Sequence, residues 1–110
     1  MASSKEYLEY ILDNLSQTNS ITYRPMMGEF ILYHNGKVFG GIYDDRFLIK
    51  PTAAAERLLP DAKREIPYDG AKEMLLVENT DDRDFLETLV TAVSAEIPLP
   101  KPKRRKNNGF

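Results

Sequence analysis

Cysteine and tryptophan are absent, and histidine occurs once, at His34. Without cysteine there is no disulfide framework, no thiol nucleophile and no thiolate zinc site. No apolar run reaches the roughly eighteen residues of a membrane-spanning helix. The start, Met1-Ala2-Ser3-Ser4-Lys5-Glu6, lacks the basic-then-apolar pattern of a secretory leader. Phosphate-cradling loops are missing too, because Gly28, Gly36, Gly40 and Gly41 fit neither G-x-G-x-x-G nor the P-loop spacing. There is no G-x-S-x-G nucleophile elbow. His34 sits beside a turn at a strand end, where a solvated imidazole with no catalytic partner is expected. Asp44-Asp45 reads as a hairpin tip rather than a cation site. These absences predict a cytoplasmic, non-enzymatic protein without metal or cofactor.

Charge is present but unevenly placed. Residues 1–100 hold 10 Lys/Arg against 17 Asp/Glu, a balance of −7, whereas Lys101, Lys103, Arg104, Arg105 and Lys106 give the last ten residues +5. An acidic body repels polyanions and a basic tail attracts them. The organisation expected is one domain over residues 1–100 and a disordered basic tail over 101–110. The tail residues are the candidate nucleic-acid contacts. At 110 residues the chain is long enough for one hydrophobic core.

Tyr7, Leu8, Ile11, Leu12 and Leu15 recur at helical spacing, which predicts a helix over 4–17 with Ser3 as N-cap and Glu6 completing a capping box. Ile21–Arg24 is extended, since Pro25 disfavours helix at Arg24. Three short antiparallel strands follow between Arg24 and Pro51. Asn35-Gly36 marks a two-residue turn that needs positive φ twice. Thr52 caps a short helix that Pro60 stops, Met74-Leu75-Leu76-Val77 suits a buried strand, and Thr80-Asp81-Asp82 opens a last helix. Its stripe is Phe85, Leu86, Leu89, Val93 and Ile97. The order α-β-β-β-α-β-β-α predicts an α+β two-layer sandwich, with helices over one face of an antiparallel sheet.

Uninterrupted alternation through the meander assigns Ile31, Tyr33, Val38, Ile42, Phe47 and Ile49 to the helix-facing side, with Ile31 opposite Gly40. Phe30, Leu32, Phe39 and Leu48 then share the outer face. Four large apolar groups there form a candidate interface, covered either by a crossing segment of this same chain or by a partner, with a homodimer as the default partner. Gly40-Gly41 in mid-strand marks a bulge, a bend or close approach by another backbone, and a helix side chain such as Tyr7 or Ile11, rather than a ligand, is expected to fill the gap on the core face.

Arg24, Met26-Met27-Gly28, Tyr33, Asn35-Gly36, Gly40-Gly41 and Lys50-Pro51-Thr52 together resemble the motif string of the TfoX (Sxy) N-terminal domain family. Pro67-Tyr68-x-Gly70-Ala71-Lys72-x-Met74-Leu75-Leu76-Val77 resembles the second half of its small stand-alone members. The resemblance implies a secretion-chaperone-like α+β fold and carries over no catalytic residue. It implies a regulatory protein-interaction module acting through a protein partner, linked to competence and the transcription of DNA-uptake genes. Arg24, Met26, Met27, Gly28, Gly36 and Lys50 match the motif as structural or partner-contacting residues. The rival reading is a nucleic-acid binder that uses the basic tail.

Overall fold

Three two-residue hairpin turns shape the sheet, and all three hold positive φ at both central positions. Met27 and Gly28 lie at 52° and 86°, Asn35 and Gly36 at 54° and 79°, and Asp44 and Asp45 at 54° and 55°. Turns of this hand match the right-handed twist of the strands they join. In the computed structural model, described over residues 3–98, they link β1 (Ile21–Met26), β2 (Glu29–His34), β3 (Lys37–Tyr43) and β4 (Arg46–Ile49). The remaining elements are α1 (Lys5–Asn14), α2 (Ala53–Leu58), β5 (Arg64–Glu65), β6 (Met74–Leu76) and α3 (Arg83–Ala95). The six strands form one antiparallel sheet in the order β1-β2-β3-β4-β6-β5.

The α+β class and antiparallel sheet agree with expectation, with one strand more in the meander. The extended segment at Ile21 continues through Pro25 and pairs along its whole length with β2. Proline is tolerated because β1 is an edge strand and the ring nitrogen faces away from the ladder. Helix starts depend on side-chain caps. Ser4, rather than Ser3, caps α1 by accepting from the Tyr7 amide, while Thr52 and Asp82 cap α2 and α3.

Ser3 has a different task. Its hydroxyl donates to Glu29 Oε1 at 2.6 Å and accepts from the Asp45 amide at 3.0 Å, while its own amide donates to the Gly28 carbonyl at 3.1 Å. Glu29 also accepts from the Asp44 amide, and Asp45 Oδ1 from the Ser4 amide at 2.8 Å. Two hairpin tips and the start of α1 are thereby tied into one network. Gly28 of the motif-like stretch takes part in this network through its carbonyl.

The main correction concerns register. Tyr33 pairs with Val38 as expected, but Leu32 pairs with Gly40 and Ile31 with Gly41. Phe39 is an extra residue in a β-bulge, so Phe39 and Gly40 both oppose Leu32. With a side-chain period of two, this single insertion exchanges the faces of β2 and of Val38 relative to the far half of β3. Leu32, Phe39, Ile42, Phe47 and Ile49 pack with Leu8, Ile11 and Leu15 of α1 and Leu86, Leu89, Val90 and Val93 of α3. Ile42, Phe47 and Ile49 are where alternation placed them; Ile31, Tyr33 and Val38 are only half-buried.

The glycine pair does mark a bulge and a close backbone approach, but the filling of the gap differs from expectation. A Cβ on Gly40 would stand 2.3 Å from the Leu48 carbonyl oxygen and 3.0 Å from Ile49 Cα, so the neighbouring strand's backbone fills the gap. A Cβ on Gly41 would meet the Phe30 carbonyl and the Tyr43 ring, both at 2.7 Å. The nearest atoms at both positions belong to strands of the sheet and not to a helix. Gly40→Ala is therefore expected to cost about 1–3 kcal/mol through overpacking against backbone that cannot rotate away. A urea midpoint unchanged by Gly40→Ala would refute this close approach.

Candidate functional site

The expected interface does not exist as a surface. Leu32, Phe39 and Leu48 are each 0% exposed, and Phe30 is half-buried against the core. Leu32 and Phe39 turn inward because of the bulge. Leu48 does face outward, opposite Gly41 and Leu76, yet it is buried within the single chain. Tyr43 lies over Gly41, and Tyr68 packs on Tyr43 with ring centroids 6.0 Å apart. Pro67 beside it is buried. The segment between β5 and β6 thus crosses the outer face, so of the two expected covers it is the chain itself that supplies it.

Where that segment lifts from the sheet it leaves a cleft of about 680 Å³. Val38, Gly40 and Tyr43 form its sheet side, Lys50, Pro51 and Thr52 one wall, and Pro67 to Met74 the other. The two family-like stretches, Lys50-Pro51-Thr52 and Pro67 to Met74, are separated by α2 and β5 and meet here. Thr52 is fixed by capping α2, and Gly70 at φ +84° turns the crossing segment back toward β6. The wall is mostly apolar, with lysines at positions 50 and 72. Neither lysine has an ion-pair partner among the described residues, whereas Glu73 is paired with Arg64, which also binds Glu56. The cleft combines apolar contact with uncommitted positive charge on an otherwise acidic body. Burial above all, then Tyr68, Glu29 and Tyr33, holds the Tyr43 phenol above its ordinary pKa, so it stays protonated and uncharged at neutral pH.

The other motif residues are scattered. Arg24 is exposed on β1, Met26 is half-buried, and Met27 is 96% exposed at the first hairpin tip. Gly36 occupies its turn. Of that set, Lys50 alone reaches the cleft, where Tyr43, Tyr68 and Lys72, none of them among the expected site residues, join it. Their signal was present in the second family-like stretch, which contains Tyr68 and Lys72. Lys101, Lys103, Arg104, Arg105 and Lys106 lie outside the described residues. Among the described residues no group of three or more His, Asp or Glu side chains is placed to hold a metal ion. No helix among them is long and apolar enough to cross a membrane.

His34 is not the solvated imidazole expected. It is 8% exposed, on the helix-facing side opposite Lys37, and its Nδ1 has no hydrogen-bond partner. Lys37 reaches past it to the Ser94 carbonyl of α3 at 3.2 Å. Burial first, and Lys37 second, lowers the imidazole pKa below its usual 6.5. A lowered basic pKa means the unfolded chain binds the proton more readily. This contribution to stability is complete above pH 6.5 and is lost as pH falls toward the folded-state value. The lone histidine makes the check direct: its ring-proton NMR titration should have a midpoint below 6.5, and one at or above 6.5 would contradict the buried placement.

Comparison with known proteins gives a family and one uncharacterised relative. The profile of the TfoX N-terminal domain matches residues 13–92, more than half of the chain. An uncharacterized 12.7 kDa protein in the trpE 5′ region of Spirochaeta aurantia is 29% identical over 107 residues, covering 96% of this chain and 93% of the relative. No solved structure matches.

Proposed function

We propose that this chain, which belongs to the TfoX N-terminal domain family, is a non-enzymatic module that holds a protein partner in the cleft between its sheet and the 67–74 segment. The observation carrying this reading is the convergence of the two family-like stretches on that one cleft. The partner's chemistry follows from the lining: an apolar side chain in the pocket, flanked by acidic residues that meet Lys50 and Lys72. Reaction chemistry has less support, since no nucleophile is seated beside a base there and the Tyr43 hydroxyl is held protonated. A regulatory role in the cytoplasm fits such a module. The transcription of DNA-uptake genes is the setting suggested by the competence regulators in the family.

Anilinonaphthalene sulfonate, an apolar anion, serves as a chemical probe of the cleft. Its affinity for the folded protein should fall roughly tenfold in the Lys50→Glu, Lys72→Glu double variant, because a charge-assisted contact is worth about 1.5–3 kcal/mol. A partner captured by the parent chain, then purified, should lose binding to the same variant. Undiminished binding by that partner would remove the cleft from the mechanism. The charge of +5 over residues 101–106 supports the second reading, nucleic-acid binding. Five phosphate contacts on duplex DNA predict a log–log salt slope of about −4.5. DNA affinity abolished by deleting residues 101–110 and indifferent to the lysine changes would favour the tail.

A further inference from the structure

The two edges of the sheet are treated differently by this sequence. The β5 edge is two residues long, and Arg64 on it is committed to Glu56 and Glu73. Short, charged edges resist pairing with other chains. The β1 edge is six residues long, and Thr22 to Pro25 are exposed along it.

The register shows what that edge offers. Met26 and Glu29 flank a two-residue turn, and the Asn35 amide donates to the Ser20 carbonyl at 3.1 Å. Residues 20, 22, 24 and 26 of this strand therefore bond to β2, and residues 21, 23 and 25 turn their backbone groups outward. Among the described residues the outward amides and carbonyls of Ile21 and Tyr23, and the carbonyl of Pro25, have no protein partner. On the helix side Tyr23 is 42% exposed and meets the Phe30 ring edge-on at 5.8 Å. Below this edge runs a groove of about 620 Å³ lined by Leu12, Leu15, Thr18, Ile21 and Tyr23.

From this arrangement we infer that β1 pairs antiparallel with β1 of a second copy of the chain, about a twofold axis at Tyr23, giving one continuous sheet through two protomers. The self-complementarity is specific. Tyr23 opposite Tyr23 of the other copy exchanges two hydrogen bonds, and the Ile21 amide of each copy donates to the Pro25 carbonyl of the other. The Pro25 ring, which has no N–H, faces the Ile21 carbonyl of the other copy, so that carbonyl takes no ladder bond and the pairing rests on the Tyr23 exchange and the Ile21-to-Pro25 bonds. The opposed pairs on the helix side are Ile21 with Pro25 and Tyr23 with Tyr23, an apolar row above the two grooves. On the other side Arg24 stands opposite Thr22, so like charges do not meet. A register one step toward the C-terminus would set Arg24 against Arg24, opposing like charges at the axis. One step toward the N-terminus would pair Arg24 with Ser20, whose φ of +62° ends the extended backbone. Twofold closure is the commonest outcome for such a surface.

This inference is independent of the cleft and of its partner. The absence of native cysteine allows a clean test. Hydrogen-bonded residues across an antiparallel pair stand about 5.5 Å apart at Cα, within disulfide reach. Under mild oxidation the full-length Tyr23→Cys chain should cross-link into dimers, whereas Met27→Cys, fully exposed but far from the axis, should not. The parent protein should sediment as a dimer at tens of micromolar. Tyr23→Asp, which opposes like charges at the axis, should weaken the dimer about tenfold or more with an unchanged far-ultraviolet spectrum. A parent chain that stays monomeric, or Tyr23→Cys linking no faster than Met27→Cys, would overturn the pairing. Should Tyr23→Asp fail to fold, the cross-linking comparison decides alone.

Discussion

The approach of the β4 backbone to Gly40 is the constraint on which the rest of the sheet depends. With the Leu48 carbonyl where it is, only a residue without a side chain fits at position 40. The strand accommodates one extra residue, Phe39, beside it. That bulge lets Phe39 and Gly40 share the helix-facing side, and Phe39 then meets Phe47 nearly edge-on at 6.5 Å in the middle of the core. The same insertion sends Val38 and Tyr33 to the outer face, so the cleft acquires its sheet wall. Bulges strengthen local twist. Here one bulge determines both which residues make the core and which surface remains for recognition.

Elements signalled locally were legible in the sequence. The Asn35-Gly36 turn, the caps at Thr52 and near Asp82, and the stripes of α1 and α3 each rest on residues within one or two helical turns of each other. Alternation also placed Ile42, Phe47 and Ile49 correctly, since no insertion separates them from the Asp44-Asp45 turn. What alternation could not register was the bulge, because an extra residue leaves composition unchanged and declares itself only when both strands are paired. Gly40-Gly41 marked the place without specifying the geometry. Which segment covers the outer face was hidden for another reason. Tyr68 reaches Tyr43 from a segment with no periodicity of its own, and cover of that kind depends on tertiary folding. The candidate site was legible as two motif stretches but not as one cleft.

Charge placement separates structure from recognition. Arg46 pairs with Glu65, Arg64 with Glu56 and Glu73, and Arg83 with Asp13. These are exposed or half-exposed pairs, each contributing little to stability. Their effect here is to leave the arginines of β4, β5 and α3 engaged. The lysines at the cleft have no comparable acid. On a body with an excess of acidic residues, two uncommitted cations on an apolar wall produce a local potential opposite to the surroundings. The acidic partner proposed above would be attracted at this point by both lysines.

Cleft and free edge lie in different parts of the same sheet. The cleft opens over β3 and the start of α2, on the face away from the helices, whereas β1 ends the sheet on the other side of β2. Strand pairing at β1 would therefore occupy neither Lys50 nor Lys72. An assembly built through β1 would present two equivalent clefts related by a twofold axis, rigidly spaced because the sheet runs through both protomers. Two sites held at fixed separation bind a partner that repeats its acidic segment far more tightly than either alone, the second contact being intramolecular. Partners with one such segment, or with two at the wrong spacing, gain nothing. A small interaction domain can thus acquire selectivity for an assembled partner from its sheet edge while its cleft chemistry remains simple.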